Sequence, residues 1–358
     1  MRLITGKRKR KKNFLIIKLC CLGDGALTLY SLRYLKEKFP GSKIDVLASE
    51  RTREIFELSE YTDSVFTLPI SGRRGFREIA GISEFFRILK QLLPGNYGSC
   101  FNLDIYYRFT DLFVIFSGAP VRRGFECGFL RLPIYTLQSK REKDVHEAFS
   151  IAAVCDVPRE TICRSPLVFN IPEAETERVE SLIGCFEKDK TAVFCTGSSP
   201  NWPEKKWPGE NFASLARMLA ERGWKIIFTG AEEDFPASYL SENFPEGAIV
   251  NLCGQTSVAG LIAVLKDASI FVGNDSGPAH IAGTVGIWQA VIFGPTNHKK
   301  WAPFYKGAVF KNDCSCRPCY YLGTMPVCAN ISERGPRCLD IRPHDIFKAV
   351  IESFEIEK

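Results

Sequence analysis

Apolar runs of strand length alternate with amphipathic stretches from early in the chain: "FLIIKL" (14–19), "ALTLYSLRYLKEKF" (26–39), then Pro40-Gly41 and "KIDVLAS" (43–49). Short continuous apolar runs predict strands buried on both faces, and the stretches between them predict helices, which is the rhythm of βαβ units on a parallel sheet. "SVFTLP" (64–69) and "SCFNLD" (99–104) continue it, and "RILKQLLPGNYG" supplies a helix closed by Pro-Gly. Around "LVFNIPEAETERVESLIGCFEKDK" the pattern turns charged and helix-prone without strands, which predicts a linker over 171–190. The alternation then restarts with "TAVFCTG" (191–197), a helix over 209–223, "KIIFTG" (225–230), "ASIFVGN" (268–274) and "AVIFGP" (290–295). The fold class is therefore α/β, with two successive doubly wound halves over 13–170 and 191–340. In such sheets ligands bind beyond the carboxyl ends of the strands, so the residues just after each strand carry the interest.

Length agrees, because 358 residues exceed one ordinary core and fit two domains of roughly 150 to 180 residues each. Hydrophobic residues make up 45%, charged residues 25%, and mean hydropathy is −0.06, the profile of a soluble globular protein rather than a disordered or membrane one. No apolar run approaches the roughly 20 residues that cross a bilayer. The start, "MRLITGKRKRKKNFLIIKL", puts a basic cluster before a short apolar segment but has no small-residue cleavage site, so it reads as mature chain. Lys and Arg number 47 against 41 Asp and Glu, a net charge of +6. The arm over 1–12 is basic throughout Lys7–Lys12, which suits solvent, an anionic membrane surface or nucleic acid. No nucleic-acid-binding motif accompanies it. Of 14 cysteines, those outside the segment Cys314–Cys338 fall in predicted strands and helices, as the buried small hydrophobes of a reduced cytosolic protein do.

After the first strand comes "KLCCLGDGALT", where Gly23 and Gly25 flank Asp24. The glycines let the backbone turn sharply and leave the carboxylate at the tip of a loop. Three readings stand: a general base, a plain turn residue, and part of a cofactor loop, the last weakened because the third Gly or Ala of a dinucleotide fingerprint is missing. In the second half "CTGSSPNWPEKKWPGENF" follows a strand with hydroxyls (Thr196, Ser198, Ser199), glycines and lysines. That composition suits an anion as well as a solvated loop. "FTGAEEDF" places Glu232, Glu233 and Asp234 directly after a strand, where one carboxylate can accept both hydroxyls of a ribose; helix-start acids that complement the macrodipole are the competing reading. In "FVGNDSGPAHIAGTVG" the strand runs to Asp275, Ser276 is placed as a helix N-cap and Pro278 is set for the first turn. Helix N–H groups there, with Gly277 admitting close approach and His280 adding a donor, suit a diphosphate.

These blocks, with "KKWPGENFASLARMLAERGWKIIFTGAEED", the stretch from "NLCGQTS" to "FGPTN" and the trailing "CSCRPC", resemble the bacterial ADP-heptose:lipopolysaccharide heptosyltransferases, glycosyltransferase family 9. The resemblance runs from about residue 13 to the carboxyl end. It implies the GT-B fold, two Rossmann-like domains facing across a cleft, with acceptor bound by the first, sugar nucleotide by the second, and "RPHDIFKAVIESF", within 341–358, crossing back to the first. It also implies inversion by direct displacement with no divalent metal or other cofactor for catalysis. Asp24 matches the base that deprotonates the acceptor hydroxyl. Lys205, two residues before Trp207, matches the lysine that neutralises the departing diphosphate. Asp275 would hold hydroxyls of the transferred sugar, Ser276, Gly277 and His280 the phosphates, and one of Glu232, Glu233 and Asp234 the ribose. His146 in "KDVHEAF" matches a family segment or serves structure alone. Cys20 and Cys21 stand where small or hydroxyl residues are commoner in the family, and Ser276 where many members have Thr.

The implied donor is ADP-heptose and the implied acceptor the lipid A-core precursor of lipopolysaccharide. The implied place is the cytoplasmic face of the bacterial inner membrane, with the basic arm on anionic lipid. A member using another nucleotide sugar or a protein acceptor is the alternative within the family, and a nicotinamide-dependent oxidoreductase the alternative outside it. Cys316, Cys319, Cys328 and Cys338 include one C-x-x-C pair and two later thiols, which suit a structural Zn or Fe knuckle, reduced loop thiols or a disulfide formed on oxidation.

Overall fold

A computed structural model describes residues 13–70, 82–126, 134–162, 165–184, 188–199, 202–235, 244–320, 324–332 and 335–356. The basic arm lies outside the described residues. Internal contacts divide the chain into two units, one holding the residues up to Cys21, Thr28–Glu142 and Ala148–Cys163, the other Leu22–Leu27, Lys143–Glu147 and Arg164–Lys358.

The first unit is built from β1 (Phe14–Lys18), α1 (Leu22–Lys38), β2 (Ile44–Ser49), α2 (Arg53–Glu57), β3 (Ser64–Leu68), α3 (Ile82–Leu92), β4 (Ser99–Asn102), α4 (Thr110–Phe116), β5 (Val121–Phe125), β6 (Leu137–Ser139) and α5 (Glu147–Val154). Its six strands are ordered β3-β2-β1-β4-β5-β6, and neighbours run parallel. β1 lies between β2 and β4 and buries every residue, which is why it reads as an unbroken apolar run. Leu15, Ile17, Leu47 and Cys100 form a core with Phe85, Ile88 and Leu89 of α3 and Phe113 of α4.

The second unit continues with α6 (Glu173–Ile183), β7 (Thr191–Cys195), α7 (Gly209–Ala220), β8 (Lys225–Thr229), β9 (Ile249–Asn251), α8 (Val258–Lys266), β10 (Ile270–Asn274), α9 (Gly277–Val285), β11 (Trp288–Phe293), α10 (His298–Trp301), β12 (Gly307–Lys311), the short pair β13 (Ile331–Ser332) and β14 (Gly335–Pro336), and α11 (Pro343–Ile356). Its parallel sheet is ordered β12-β11-β10-β7-β8-β9. Counted from its own first strand, each half has the order 3-2-1-4-5-6 of a dinucleotide-binding fold. Strand order reverses between β1 and β4 and between β7 and β10, so these two points are where ligands are expected.

Two segments at the joints are helical. The stretch taken as a linker folds as α6, burying Val179 and Ile183, and Ser257 at the start of α8 donates to Glu175 Oε1 at 2.9 Å. Its charges occupy the positions around that narrow apolar stripe, which is why it reads as polar. The terminal helix α11 places Ile346 and Val350 in the core of the second unit with Trp207, Leu215 and Leu219. The Phe354 ring meets Trp224 edge-on at 5.0 Å.

Among the described residues no helix is long and apolar enough to cross a membrane. Cys100, Cys155, Cys195 and Cys253 are buried, and burial pushes each of these thiols up to about 12, so they act as small hydrophobes. The sulfurs of the adjacent Cys20 and Cys21 lie against each other.

Because Ile346 is wholly buried, Ile346→Ala is expected to cost about 2–5 kcal/mol, read as a lower denaturant midpoint at unchanged slope. A midpoint equal to wild type would show that α11 contributes nothing to this core.

Candidate functional site

The carboxyl ends of β7 and β10 meet at the strand-order reversal, and the side chain of Asn274, fully buried at the end of β10, joins them. Its Nδ2 donates to the Thr196 carbonyl at 2.7 Å and the Gly197 carbonyl at 3.3 Å, while its Oδ1 accepts from the Trp207 N–H at 2.9 Å. The "KKW" segment is thereby held over the strand ends. A short turn, Pro203–Lys205, then sends two adjacent lysines to different partners. Lys205 Nζ lies 3.1 Å from Asp275 Oδ2 and Lys206 Nζ 2.8 Å from Asp234 Oδ1.

Asp275 is buried, and its N–H donates to the Ile292 carbonyl of the neighbouring strand at 3.0 Å. Ser276 occupies the N-cap position of α9, but its hydroxyl does not cap the helix as expected; the oxygen is buried and makes no hydrogen bond. Gly277 begins the helix, with Pro278 next.

The first turn of α1 groups with this unit. The helix starts at Leu22, earlier than expected, so Gly23, Asp24 and Gly25 sit in its first turn. Asp24 is buried rather than exposed at a loop tip, and a carboxylate there complements the helix dipole. A Cβ on Gly23 would fall 2.4 Å from His280 Cδ2, and one on Gly277 would fall 3.5 Å from the Gly23 nitrogen. Glycine at 23 is thus what lets the starts of α1 and α9 approach.

His280 is buried beneath them, and burial lowers its pKa below the ordinary 6.5 against the opposing pull of Asp275, Asp24 and Glu147, with Lys205 adding to the lowering. At neutral pH the ring is uncharged and offers one N–H donor. Glu147 in turn pairs with Lys300 Nζ at 2.9 Å. His146, left open between two roles, has Nε2 3.0 Å from the Ala302 carbonyl and stacks on Phe304.

Other expected residues divide. Asp234 accepts from the Ala231 N–H at 3.0 Å as well as from Lys206, so it caps its own turn. A Cβ on Gly197 would strike its carboxylate at 2.0 Å. Glu232 and Glu233 beside it are exposed, as is Ser199, whose carbonyl accepts from the Trp202 N–H at 2.8 Å. Cys316, Cys319, Cys328 and Cys338 line one small pocket with Glu204 and Pro295. Four thiols are a suitable donor set for Zn or Fe, but among the described residues no group of three or more His, Cys, Asp or Glu is gathered so as to hold an ion. Burial raises the thiols of Cys319 and Cys338, the latter to about 11.

Residues 112–323, more than half of the chain, match the model of glycosyltransferase family 9 (heptosyltransferase). The chain belongs to this family. It is 25% identical over 327 residues to lipooligosaccharide heptosyltransferase 2 of Haemophilus ducreyi, covering 82% of this chain and 87% of that one. It is 24% identical over 305 residues to lipopolysaccharide heptosyltransferase 3 of Escherichia coli, covering 80% and 84%. The solved structure of Escherichia coli ADP-heptose lipopolysaccharide heptosyltransferase II is similar with a TM-score of 0.74 at 19% identity, covering 96% of this chain and 99% of that one. The family is one of glycosyl-transfer enzymes, and two Rossmann-like halves, as observed, make up its GT-B fold.

Three residues of this family 9 member were not anticipated. Asn274 and Asp104 each stand at or just past the end of a buried strand run, where a polar side chain in "FVGN" or "SCFNLD" is a visible signal. Asp104, fully buried, accepts from the N–H groups of Leu19 and Cys20 at 3.0 and 2.9 Å through Oδ2, and from Tyr106 and Tyr107 at 3.0 and 3.3 Å through Oδ1. Lys300, in a run of surface-like polar residues, had no such signal.

Because His280 is held below 6.5 by burial, the unfolded chain binds a proton at pH values where the folded chain does not, so its contribution to stability is full above about pH 6.5 and is lost as pH falls below it. His280→Gln is expected to flatten the fall in melting temperature between about pH 7 and about pH 5. An unchanged slope would mean that the buried ring does not govern it.

Proposed function

We propose that this chain transfers heptose from ADP-heptose to the inner core of lipopolysaccharide, with inversion and without a divalent metal. The observation that carries this reading is the gathering of buried Asp24, Asp275 and His280 with the part-buried Lys205 around the approach of the α1 and α9 starts. The names of the similar enzymes support heptose as the sugar, and the name of the similar solved structure supports ADP-heptose as the donor.

The acceptor hydroxyl attacks the anomeric carbon as the bond from that carbon to the diphosphate breaks, and ADP leaves with the bonding electron pair. Asp24 takes the hydroxyl proton. Charge builds on the diphosphate, where the α9 N-terminus, the unpartnered Ser276 hydroxyl, the neutral His280 N–H and the Lys205 ammonium stabilise it. Asp275 orients hydroxyls of the transferred sugar, and Glu232 or Glu233 takes the ribose, Asp234 being engaged by Lys206. The basic arm rests on anionic lipid at the cytoplasmic face of the inner membrane, where the lipid A-core acceptor is presented. The cysteine pocket takes no chemical step.

Calorimetric titration with ADP-heptose, ADP-glucose, UDP-glucose and NADH is expected to show selective binding of ADP-heptose. Selectivity for another nucleotide sugar would replace the donor, and binding of NADH alone would overturn the reading. Asp24→Ala is expected to bind donor normally while turnover falls by about 10²–10⁴-fold; near-normal turnover would remove Asp24 from the mechanism. Lys205→Ala is expected to weaken ADP binding by about tenfold or more, and an unchanged affinity would remove it from the phosphate site.

A further inference from the structure

The cysteine-rich segment takes no step in the reaction above, yet it is fastened to both loops that border the diphosphate site. Arg317, in the middle of "CSCRPC", donates from Nε to the Gly294 carbonyl at 2.6 Å, from one terminal nitrogen to the Thr296 carbonyl at 3.2 Å and from the other to the Asn312 carbonyl at 3.4 Å. Cys319 and Tyr320 both donate their N–H groups to the Pro295 carbonyl, at 3.0 and 3.1 Å. The loop after β11 and the segment 317–320 therefore form one hydrogen-bonded body. The turn carrying Lys205 packs against the same body: a Cβ on Gly294 would fall 3.3 Å from the Glu204 carbonyl oxygen, and Glu204 lines the cysteine pocket.

What this body delivers to the site is the Tyr320 ring. Its centroid lies 5.8 Å from Lys205 Nζ, inside the range in which an ammonium is attracted to an aromatic face. Trp202 meets that ring edge-on, with centroids 5.2 Å apart and planes at 86°, which fixes the orientation of the face.

We propose that the cysteine-rich segment is a positioning wall of the donor site, and that Tyr320 sets where the Lys205 ammonium stands. The inference rests on the reading of Lys205 as the cation for the diphosphate. A ring suits this task for a physical reason. Asp275 also holds Lys205 but carries a full negative charge that competes with an incoming diphosphate, whereas an aromatic face attracts the ammonium without neutralising it. Tyr320 keeps the cation in place while its charge is handed from Asp275 to phosphate. Tyr320 is thus a positioning residue that acts through Lys205.

The test is calorimetric titration of the full-length protein with ADP, together with donor and acceptor KM. Tyr320→Phe keeps the face and is expected to bind ADP within about twofold of wild type, while Tyr320→Leu is expected to weaken ADP binding by about three- to tenfold. Donor KM rises in Tyr320→Leu and acceptor KM does not. Placed in the Lys205→Ala background, Tyr320→Leu is expected to cause no further loss, because its effect runs through the ammonium. Wild-type affinity in Tyr320→Leu, or an equal further loss without Lys205, would overturn the inference and leave the diphosphate reading standing. Wild-type affinity in Lys205→Ala would instead overturn that reading, and the inference with it. Should Tyr320→Leu fail to fold, phenylalanines carrying successively more fluorines at position 320 keep the ring's shape while draining its face of negative charge. ADP affinity falling in step supports the proposal, and a flat series overturns it.

Discussion

One buried amide, that of Asn274, holds the carboxyl ends of β7 and β10 in register. At the reversal between β7 and β10 the backbone of one strand has no sheet partner beyond its end, and three loop groups, two carbonyls and an N–H, need partners away from water. A side chain that both donates and accepts can serve all three, and only Asn or Gln does so without charge. The bonds to Thr196, Gly197 and Trp207 tie the loop after β7 to the turn ahead of α7. Trp207 is anchored a second time, its Nε1 donating to the Ile341 carbonyl at 3.2 Å. Between these fixed points the chain must present Lys205 and Lys206 to different carboxylates, so the cation at the site follows from an uncharged clamp beneath it.

The reversal between β1 and β4 is fastened by different chemistry. There the side chain of Asp104 accepts from four N–H donors, a set that a carboxylate satisfies and an amide does not, since half of an amide would turn a donor toward donors. Asp104 therefore does for the chain leaving β1 what Asn274 does for the chain leaving β7. The two clamps stand at matching places in two sheets of the same strand order, and each is the residue type that its neighbouring backbone demands.

Most of this architecture was legible in the chain. Strands buried on both faces print as apolar runs, and "FLIIKL", "TAVFCTG", "KIIFTG" and "ASIFVGN" each contain an observed strand within a residue or two of its ends. α6 read as helix-prone but as a linker, because a helix that buries only Val179 and Ile183 has too thin an apolar stripe to announce the surface it packs on. Asp24 was placed on a loop because glycines on both sides signal a turn; Gly23 serves instead as a close-approach point in a helix start, a demand that comes from His280, more than two hundred residues away. The partners of Asp234 and Lys300 were invisible for the same reason, since an ion pair between distant residues leaves no local pattern.

The charge arrangement around the α9 start follows from burial. Lys205, Lys206 and Lys300 are each within hydrogen-bond or ion-pair distance of a carboxylate, and for Lys300, which is buried, a partner is needed because an isolated buried ammonium is costly to keep out of water. On the proposed reading the three lysines around this site are thus already paired before an anion arrives. On that reading a diphosphate would compete with Asp275 for Lys205 rather than meet a bare cation, which lowers the gain from that one contact. The remaining stabilisation has to come from groups that are polar without being charged: the helix N-terminus, the Ser276 hydroxyl and a histidine that burial keeps neutral. Such dipoles are oriented by the fold and need no reorganisation as charge develops. Since they add no net charge of their own, the fold can bury them at much lower cost than more lysines, provided the glycine at 23 lets two helix starts come together.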